Sequence, residues 1–497
     1  MLDKDRNWLE ERINYKEISK YMKDGKDFIN DSEIEEKIKN NKNPDPKRVK
    51  DIIAKSLTIH NLAPDELAAL INVTDRDLIA EMEEAATAVK KWVYDNRIVT
   101  FAPLYLSNLC LNNCLYCGLR CSNQQMQRKT LSDEDIINEV SYLTGKVGHK
   151  RLIVVYGEHP EASVDYMQKS IETIYGVKVK TRKGFGQIRR LNVNGPPLLL
   201  EEFRKMHEVG IGTYQIFQET YHHDTYNIVH PGGTFKGDYD WRLYSMHRAL
   251  ESGIDDVGLG ALFGLYDWKF EIMGLLYHSI ELENVFGIGP HTISFPRLEP
   301  AENTPFITDP KYQKYHVSDE DFKRLVVLLR LAVPHAGMII TARESPEIRK
   351  ALLPLGCTQT DASSCISIGS YSEDGKQDSC RQQFLLGDTR SLDEVIRDLA
   401  QLGFITSFCT AGYRCGRTGQ NIMELLRTGQ EGKFCKLNAV LTFKEWLDDF
   451  ASEETYKIGI KLIEMEMEEI KKKTPNAFDA FMVAYNKISN GERDLYF

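Results

Sequence analysis

The chain has 497 residues, a formal net charge of −10, 42% hydrophobic and 27% charged residues, and ten cysteines. An acidic balance with no basic stretch excludes a general nucleic-acid binder, which needs clustered Lys and Arg against phosphates. No apolar run reaches the roughly 18 residues of a membrane-crossing helix, and the first residues, Met1 to Glu11, lack the apolar centre of a signal peptide. The expectation is a cytoplasmic protein with neither membrane nor nucleic acid as partner, its cysteines serving as metal ligands or free thiols rather than disulfides.

Residues 1–96 read as a helical region. Asp31-Ser-Glu-Ile-Glu-Glu offers an acidic first turn, Pro44 and Pro46 interrupt the pattern, and Pro64-Asp-Glu-Leu starts another helix. Val49, Ile52, Ile53 and Leu57 recur at helical spacing, as do Leu78, Met82, Ala85, Val89 and Val93.

After the apolar run Ile98–Leu106 come Cys110, Cys114 and Cys117 in C-x3-C-x2-C spacing. Three thiolates ligate three irons of a [4Fe–4S] cluster and leave the fourth open for S-adenosylmethionine (SAM), the arrangement of radical SAM chemistry. Cys121 follows closely. With it the four cysteines also suit a zinc site or a fully ligated electron carrier.

From Arg97 the rhythm changes to short apolar runs separated by amphipathic stretches. Strand candidates are Ile98–Leu106, Leu152–Tyr156, Leu191–Asn194, Gly212–Phe217, Val257–Phe263, Thr292–Pro296 and Met338–Thr341. A weaker eighth lies near Thr358–Asp361 or Ile366–Ile368. Helices are expected between them, for example Ser132–Thr144 and Asp319–Ala332. The spacing predicts an α/β fold, a (β/α)8 barrel over residues 97–390. Polar residues at strand ends then share one face: Gly157 and Glu158, Asn192 and Asn194, Gln218 and Glu219, Arg343 and Glu344. Any one of them alone is as well explained by a helix cap or a loop hydrogen bond.

Residues 391–497 form a third, mostly helical region containing Cys409, Cys415 and Cys435. Its charged run from Glu464 reads as a solvated helix face, and the tail after Pro475 as a last helix and a loose end.

Several segments resemble the radical SAM tyrosine lyases, a family that includes [FeFe]-hydrogenase maturases and the tyrosine lyase of thiamine synthesis. They are 96–108, 189–194 (Arg-Arg-Leu-Asn-Val-Asn), 210–221, 253–264, 289–297 (Gly-Pro-His-Thr-Ile-Ser-Phe-Pro-Arg), 341–345 (Thr-Ala-Arg-Glu-Ser) and 441–455. The resemblance implies that the Cys110/Cys114/Cys117 cluster cleaves SAM and that the resulting radical takes hydrogen from the amino group of L-tyrosine. The Cα–Cβ bond then breaks to dehydroglycine and a p-cresol-forming fragment. It places Gly157 and Glu158 at the SAM amino group, Gln218 and Glu219 at its ribose and methionine parts, and Asn192 and Asn194 on the same cofactor face. Arg343 is the candidate clamp for the tyrosine carboxylate; the ordinary alternative is an ion pair with Glu344. A reductant protein such as ferredoxin or flavodoxin is implied, as are other hydrogenase maturases.

In the maturases a C-terminal C-x2-C-x22-C motif holds a second [4Fe–4S] cluster that converts dehydroglycine to CO and cyanide. Here Cys409 and Cys435 match its outer positions, but the middle one is Gly412. Cys415 is the substitute if the loop turns it inward. His291 falls where the resemblance puts a ligand to an extra iron, and a hydrogen-bonded loop histidine is the alternative. Where the family reads Gly-Gly-Ser-Arg-Thr-Ser, this chain reads Ala362-Ser-Ser-Cys365-Ile-Ser. Three outcomes stay open: a full maturase activity, a paralogue that stops at dehydroglycine or takes another amino acid, and a non-catalytic iron–sulfur carrier closed by Cys121.

Overall fold

The computed structural model describes residues 8 and 11–497, except 302, 305, 307, 308, 374, 376, 377, 429 and 430. Among the described residues, the α-helices before the first strand include Asp31–Asn40, Pro46–Ser56, Pro64–Ile71 and Arg76–Tyr94. Each start has a local cause. Asn30, Asp45 and Asp75 accept from backbone N–H groups of the first turns, and Pro46 and Pro64 occupy first helical positions. Leu57 lies outside the buried stripe and is exposed. The long helix Arg76–Tyr94 packs on Asp319–Ala332, so this region wraps the outside of the barrel.

Eight parallel strands close the barrel: β1 Arg97–Ser107, β2 Arg151–Tyr156, β5 Arg190–Asn194, β6 Tyr214–Gln215, β7 Val257–Gly260, β8 Thr292–Ser294, β9 Gly337–Ile340 and β10 Gln359–Asp361. Closure is made by Val99, Thr100 and Phe101 of β1 pairing with Gln359, Thr360 and Asp361. The eighth strand therefore lies at Gln359–Asp361, and Ile366–Ile368 is in a loop. The strands are buried on both faces, which is why they read as continuous apolar runs without alternation. Phe101, Ile153 and Ile339 fill the middle of the barrel, with Val155 packed on them.

Three strands escaped sequence reasoning. β3 Lys178–Lys180 and β4 Phe185–Gln187 make a small antiparallel hairpin. β11 Ile405–Ser407 pairs with Arg97–Val99 below β2, and Val99 faces Gln359 on one side and Ser407 on the other. Runs of three residues carry too little pattern to register.

The C-terminal helices Glu431–Phe450, Glu453–Lys473 and Pro475–Ser489 pack on one another, the first also on β11. The tail beyond them is not loose. Arg493 and Asp449, both fully buried, form an ion pair at 2.7 Å. Asp494 pairs with Arg414, and Phe497 exchanges hydrogen bonds with the Asn438 amide. Arg493→Ala leaves a buried carboxylate without its cation, so a loss of about 3–5 kcal/mol is expected, read as a lower urea midpoint. Among the described residues no helix is long and apolar enough to cross a membrane.

Candidate active site

The barrel mouth holds an open-topped cavity of about 200 Å³ at the C-terminal ends of the strands. Cys110, Cys114 and Cys117 line one wall. β1 runs directly into their loop, which is stitched to the end of β2: Gly157 N–H donates to Ser107 O, and Leu111 N–H to Glu158 O, both at 2.9 Å. The approach is so close that a Cβ on Gly157 would lie 2.0 Å from Leu109 O. The obstacle is backbone, which cannot swing aside. Gly157→Ala is expected to displace the cysteine loop and cut the iron bound after reconstitution to less than half, measured by iron content.

Behind the cysteines lies a buried charged group. Arg242 holds Glu158 at 3.0 Å and reaches Glu219 at 3.7 Å, while Lys236 holds Glu219 at 2.6 Å. Asn112 donates to Glu158 and accepts from the Lys236 backbone N–H. Glu219 has φ of +71°, a left-handed backbone uncommon for a residue with a side chain, and its carbonyl accepts from Leu262 at 2.7 Å. Asn112, Lys236 and Arg242 were missed by sequence reasoning. The signal available was their charge or amide in the segments after strands, and segments rich in such residues are ordinary.

Arg343, just beyond β9, lines the same cavity. Its guanidinium lies 3.3 Å over the Phe384 ring. Among the described residues it has no carboxylate at ion-pair distance, and burial draws its pKa down. The expected alternative partner, Glu344, is instead held by Arg297. Tyr105 also lines the cavity.

The first cluster's donor set fits the three-thiolate arrangement. Burial pushes the Cys110 thiol up to about 11, and the Cys114 thiol higher still. Free thiolates here would be desolvated anions, so they need a metal cation as counter-charge. Two amides already point at the sulfurs: Asn112 Nδ2 lies 3.6 Å from Cys110 Sγ, and Gln383 Nε2 lies 3.5 Å from Cys117 Sγ. Cys121 is exposed and does not line the cavity.

The other candidates are distributed differently. Asn194 and Glu219 line the cavity with Gly157 and Glu158. Asn192 does not; its Oδ1 accepts from Thr213 N–H at 3.1 Å inside the barrel wall. Gln218 turns away and donates to Tyr239 O at 3.4 Å.

His291 and Cys409 both lie near Arg151 and Arg190 at the other end of the barrel, below the Phe101–Ile153–Ile339 layer. His291 precedes β8, its Nδ1 3.7 Å from Asp256, and burial draws its pKa down. Cys409 follows β11 with φ of +47° and sits beside Arg151 and Arg190. Cys435 is buried on the helix Glu431–Phe450. Cys415 is exposed, with its Sγ donating to Phe497 O at 3.6 Å.

Among the described residues no three His, Cys, Asp or Glu side chains converge as a preformed metal site, the Cys110 loop included. The two ends still differ in their donors. The mouth presents three thiols to one cavity, whereas the floor has lost the middle thiol to Gly412 and its substitute Cys415 is tied to the chain's last carbonyl. Nothing within 3.8 Å would obstruct a Cβ at Gly412. The missing thiol is thus a change of chemistry, not of space, and the floor residues as folded do not fit a thiolate-held second cluster.

The description "Radical SAM superfamily" matches residues 104–275, and "Biotin and Thiamin Synthesis associated domain" matches residues 294–405. A 2-iminoacetate synthase of Salmonella typhimurium is 30% identical over 354 residues, 71% of this chain and 88% of that protein. The crystal structure of HydG, a maturase of the [FeFe]-hydrogenase, superposes with a TM-score of 0.89 at 47% identity, covering 95% of this chain and all of that one. The HydG from Carboxydothermus hydrogenoformans gives 0.75 at 35% identity, covering 91% of this chain and 97% of that one. Enzymes with the radical SAM domain use a [4Fe–4S] cluster with SAM, and this barrel mouth carries three thiols in one cavity. The chain belongs to the radical SAM family, in the tyrosine-lyase branch that holds the 2-iminoacetate synthases and the HydG maturases.

Proposed function

We propose that this lyase acts on L-tyrosine, breaking its Cα–Cβ bond to give dehydroglycine and p-cresol. The observation that carries the reading is Arg343: a half-buried, planar cation with no carboxylate at ion-pair distance among the described residues, sharing one cavity with the thiols. Such a guanidinium takes an α-carboxylate in two parallel hydrogen bonds, and Phe384 fixes its plane. Cys110, Cys114 and Cys117 would hold the cluster, with Glu158 and Glu219 toward SAM. When bound, the cluster and SAM supply the hydrogen-abstracting radical. The protein's own part is orientation and dryness. Arg343 turns the substrate amine toward the thiol wall, and Leu298, Phe384 and Leu386 at the mouth keep water from the reacting atoms. The electron would come from a small reductant protein of the ferredoxin or flavodoxin type.

Similarity to HydG supports a place in hydrogenase maturation, beside other maturases. The product's fate is where a second reading is favoured. With Gly412 in the motif and Cys415 tied to Phe497, we infer that the chain stops at dehydroglycine. Reconstituted protein with SAM, dithionite and L-tyrosine is expected to release p-cresol without CO or cyanide. Deoxyadenosine without p-cresol would sink the tyrosine reading, and CO formation would restore full maturase activity.

A further inference from the structure

The loop after β10 returns to the barrel mouth and touches both the cysteine loop and the segment after β9. Its contacts are backbone-fixed. Gly118 N–H, next to Cys117, donates to Gln383 O at 3.1 Å, and a Cβ on Gly118 would lie 2.8 Å from that oxygen. Leu385 N–H donates to Pro300 O at 2.9 Å, and Gly387 N–H to Ala342 O at 2.8 Å. Between these anchors Phe384 supports Arg343.

Gln383 has both ends of its side-chain amide committed. Nε2 lies 3.5 Å from Cys117 Sγ, and Oε1 accepts from the Tyr105 hydroxyl at 2.7 Å. Only one amide orientation is stable once Cys117 is a ligand. A metal-bound thiolate accepts and cannot donate, so the N–H face must point at sulfur. The oxygen face then needs a donor, which the Tyr105 phenol supplies. Asn112, the amide beside Cys110, is placed otherwise: it also bonds Glu158 and the Lys236 backbone. Gln383 is the amide whose carbonyl partner lines the substrate cavity.

We propose that Gln383 is a positioning residue that donates to Cys117 Sγ, is held in that orientation by Tyr105, and so raises the reduction potential of the cluster. This rests on the reading that Cys110, Cys114 and Cys117 carry the cluster. Reduction adds negative charge that spreads onto the sulfurs, so an N–H···S bond strengthens in the reduced form and favours it. Losing the bond disfavours reduction. At a fixed solution potential the ratio of reduced to oxidised cluster is expected to fall about tenfold, the effect of one modest hydrogen bond, equivalent to 59 mV for a one-electron couple.

The test is a mediator-buffered redox titration of the reconstituted holoenzyme followed by EPR, with iron content measured in parallel. Gln383→Leu at full iron content is expected to titrate at a more negative potential. Tyr105→Phe, which frees the amide to rotate without touching the ligand loop, is expected to shift the same way by a smaller amount. A Gln383→Leu titration superimposable on wild type overturns the proposal. If Gln383→Leu fails to hold iron, Tyr105→Phe decides alone, and its coincidence with wild type overturns the proposal equally. The underlying reading is checked separately in the wild type: if SAM leaves the reduced-cluster spectrum unchanged, the open-iron assignment fails, whatever the variants do.

Discussion

Replacing Cys110, Cys114 and Cys117 together by alanine is expected to remove the iron, abolish the SAM-dependent change in the EPR spectrum and bring p-cresol formation to background. The three sulfurs line one cavity, and burial disfavours the Cys110 and Cys114 thiolates unless a metal balances the charge. The exposed Cys121 belongs to no such set, so Cys121→Ala should retain both iron and the SAM response. A carrier closed by Cys121 predicts the reverse, and loss of iron from that single variant would establish it. The triple variant also interrogates the barrel floor. Because Gly412 brings no thiol and Cys415 is tied to Phe497, no cluster iron should survive there. Surviving iron with the absorbance of a [4Fe–4S] cluster would show that Cys409, Cys415 and Cys435 rearrange around it.

Arg343→Ala is expected to lower kcat/KM for tyrosine about 100-fold or more, the worth of a charge-assisted, two-point contact in a buried site. Arg343→Lys keeps the charge but not the fork, and lacks the flat face that stacks on Phe384, so a loss of about tenfold is expected. Loss of catalysis by itself does not separate binding from misfolding. Comparison with tyramine, which has no carboxylate, does. Wild type should strongly prefer tyrosine, and the alanine variant should lose that preference, because the coupling between the two deletions measures the contact. A variant that still prefers tyrosine would show that another group holds the carboxylate.

Much of the fold was legible in the sequence because barrel strands are buried on both faces. Leu152–Tyr156 and Met338–Thr341 stand out as apolar runs, and each lies within a residue or two of β2 and β9. Helix starts were legible where a cap is local, as at Ser132 and Ser318, whose side chains accept from their own first turns. What failed was short or long-range. β11 is three residues whose only reason to be a strand is the free lower edge of β1. The tail seemed loose because its anchors, Asp449, Glu445 and Asn438, lie some fifty residues upstream.

The site divides the same way. Cys110, Cys114 and Cys117 are legible because one loop must present all three sulfurs to one cluster, so their spacing is a local constraint. Arg343 was visible as a charged residue after a strand, but sequence could not say whether Glu344 neutralises it. The barrel decides that by bringing Arg297 to Glu344 and leaving Arg343 facing the cavity. Arg242 and Lys236 enter the site from short helices, and Gln383 and Phe384 from a loop, all far along the chain, and closure of the eighth strand on the first brings these segments to one mouth. The sequence by itself determined the chemistry of the ligands, because metal spacing and apolar runs are written between near neighbours. The tertiary structure decided which charges are paired, which thiols share a cavity and which end of the barrel lacks one, because burial and distance exist only after the chain has closed on itself.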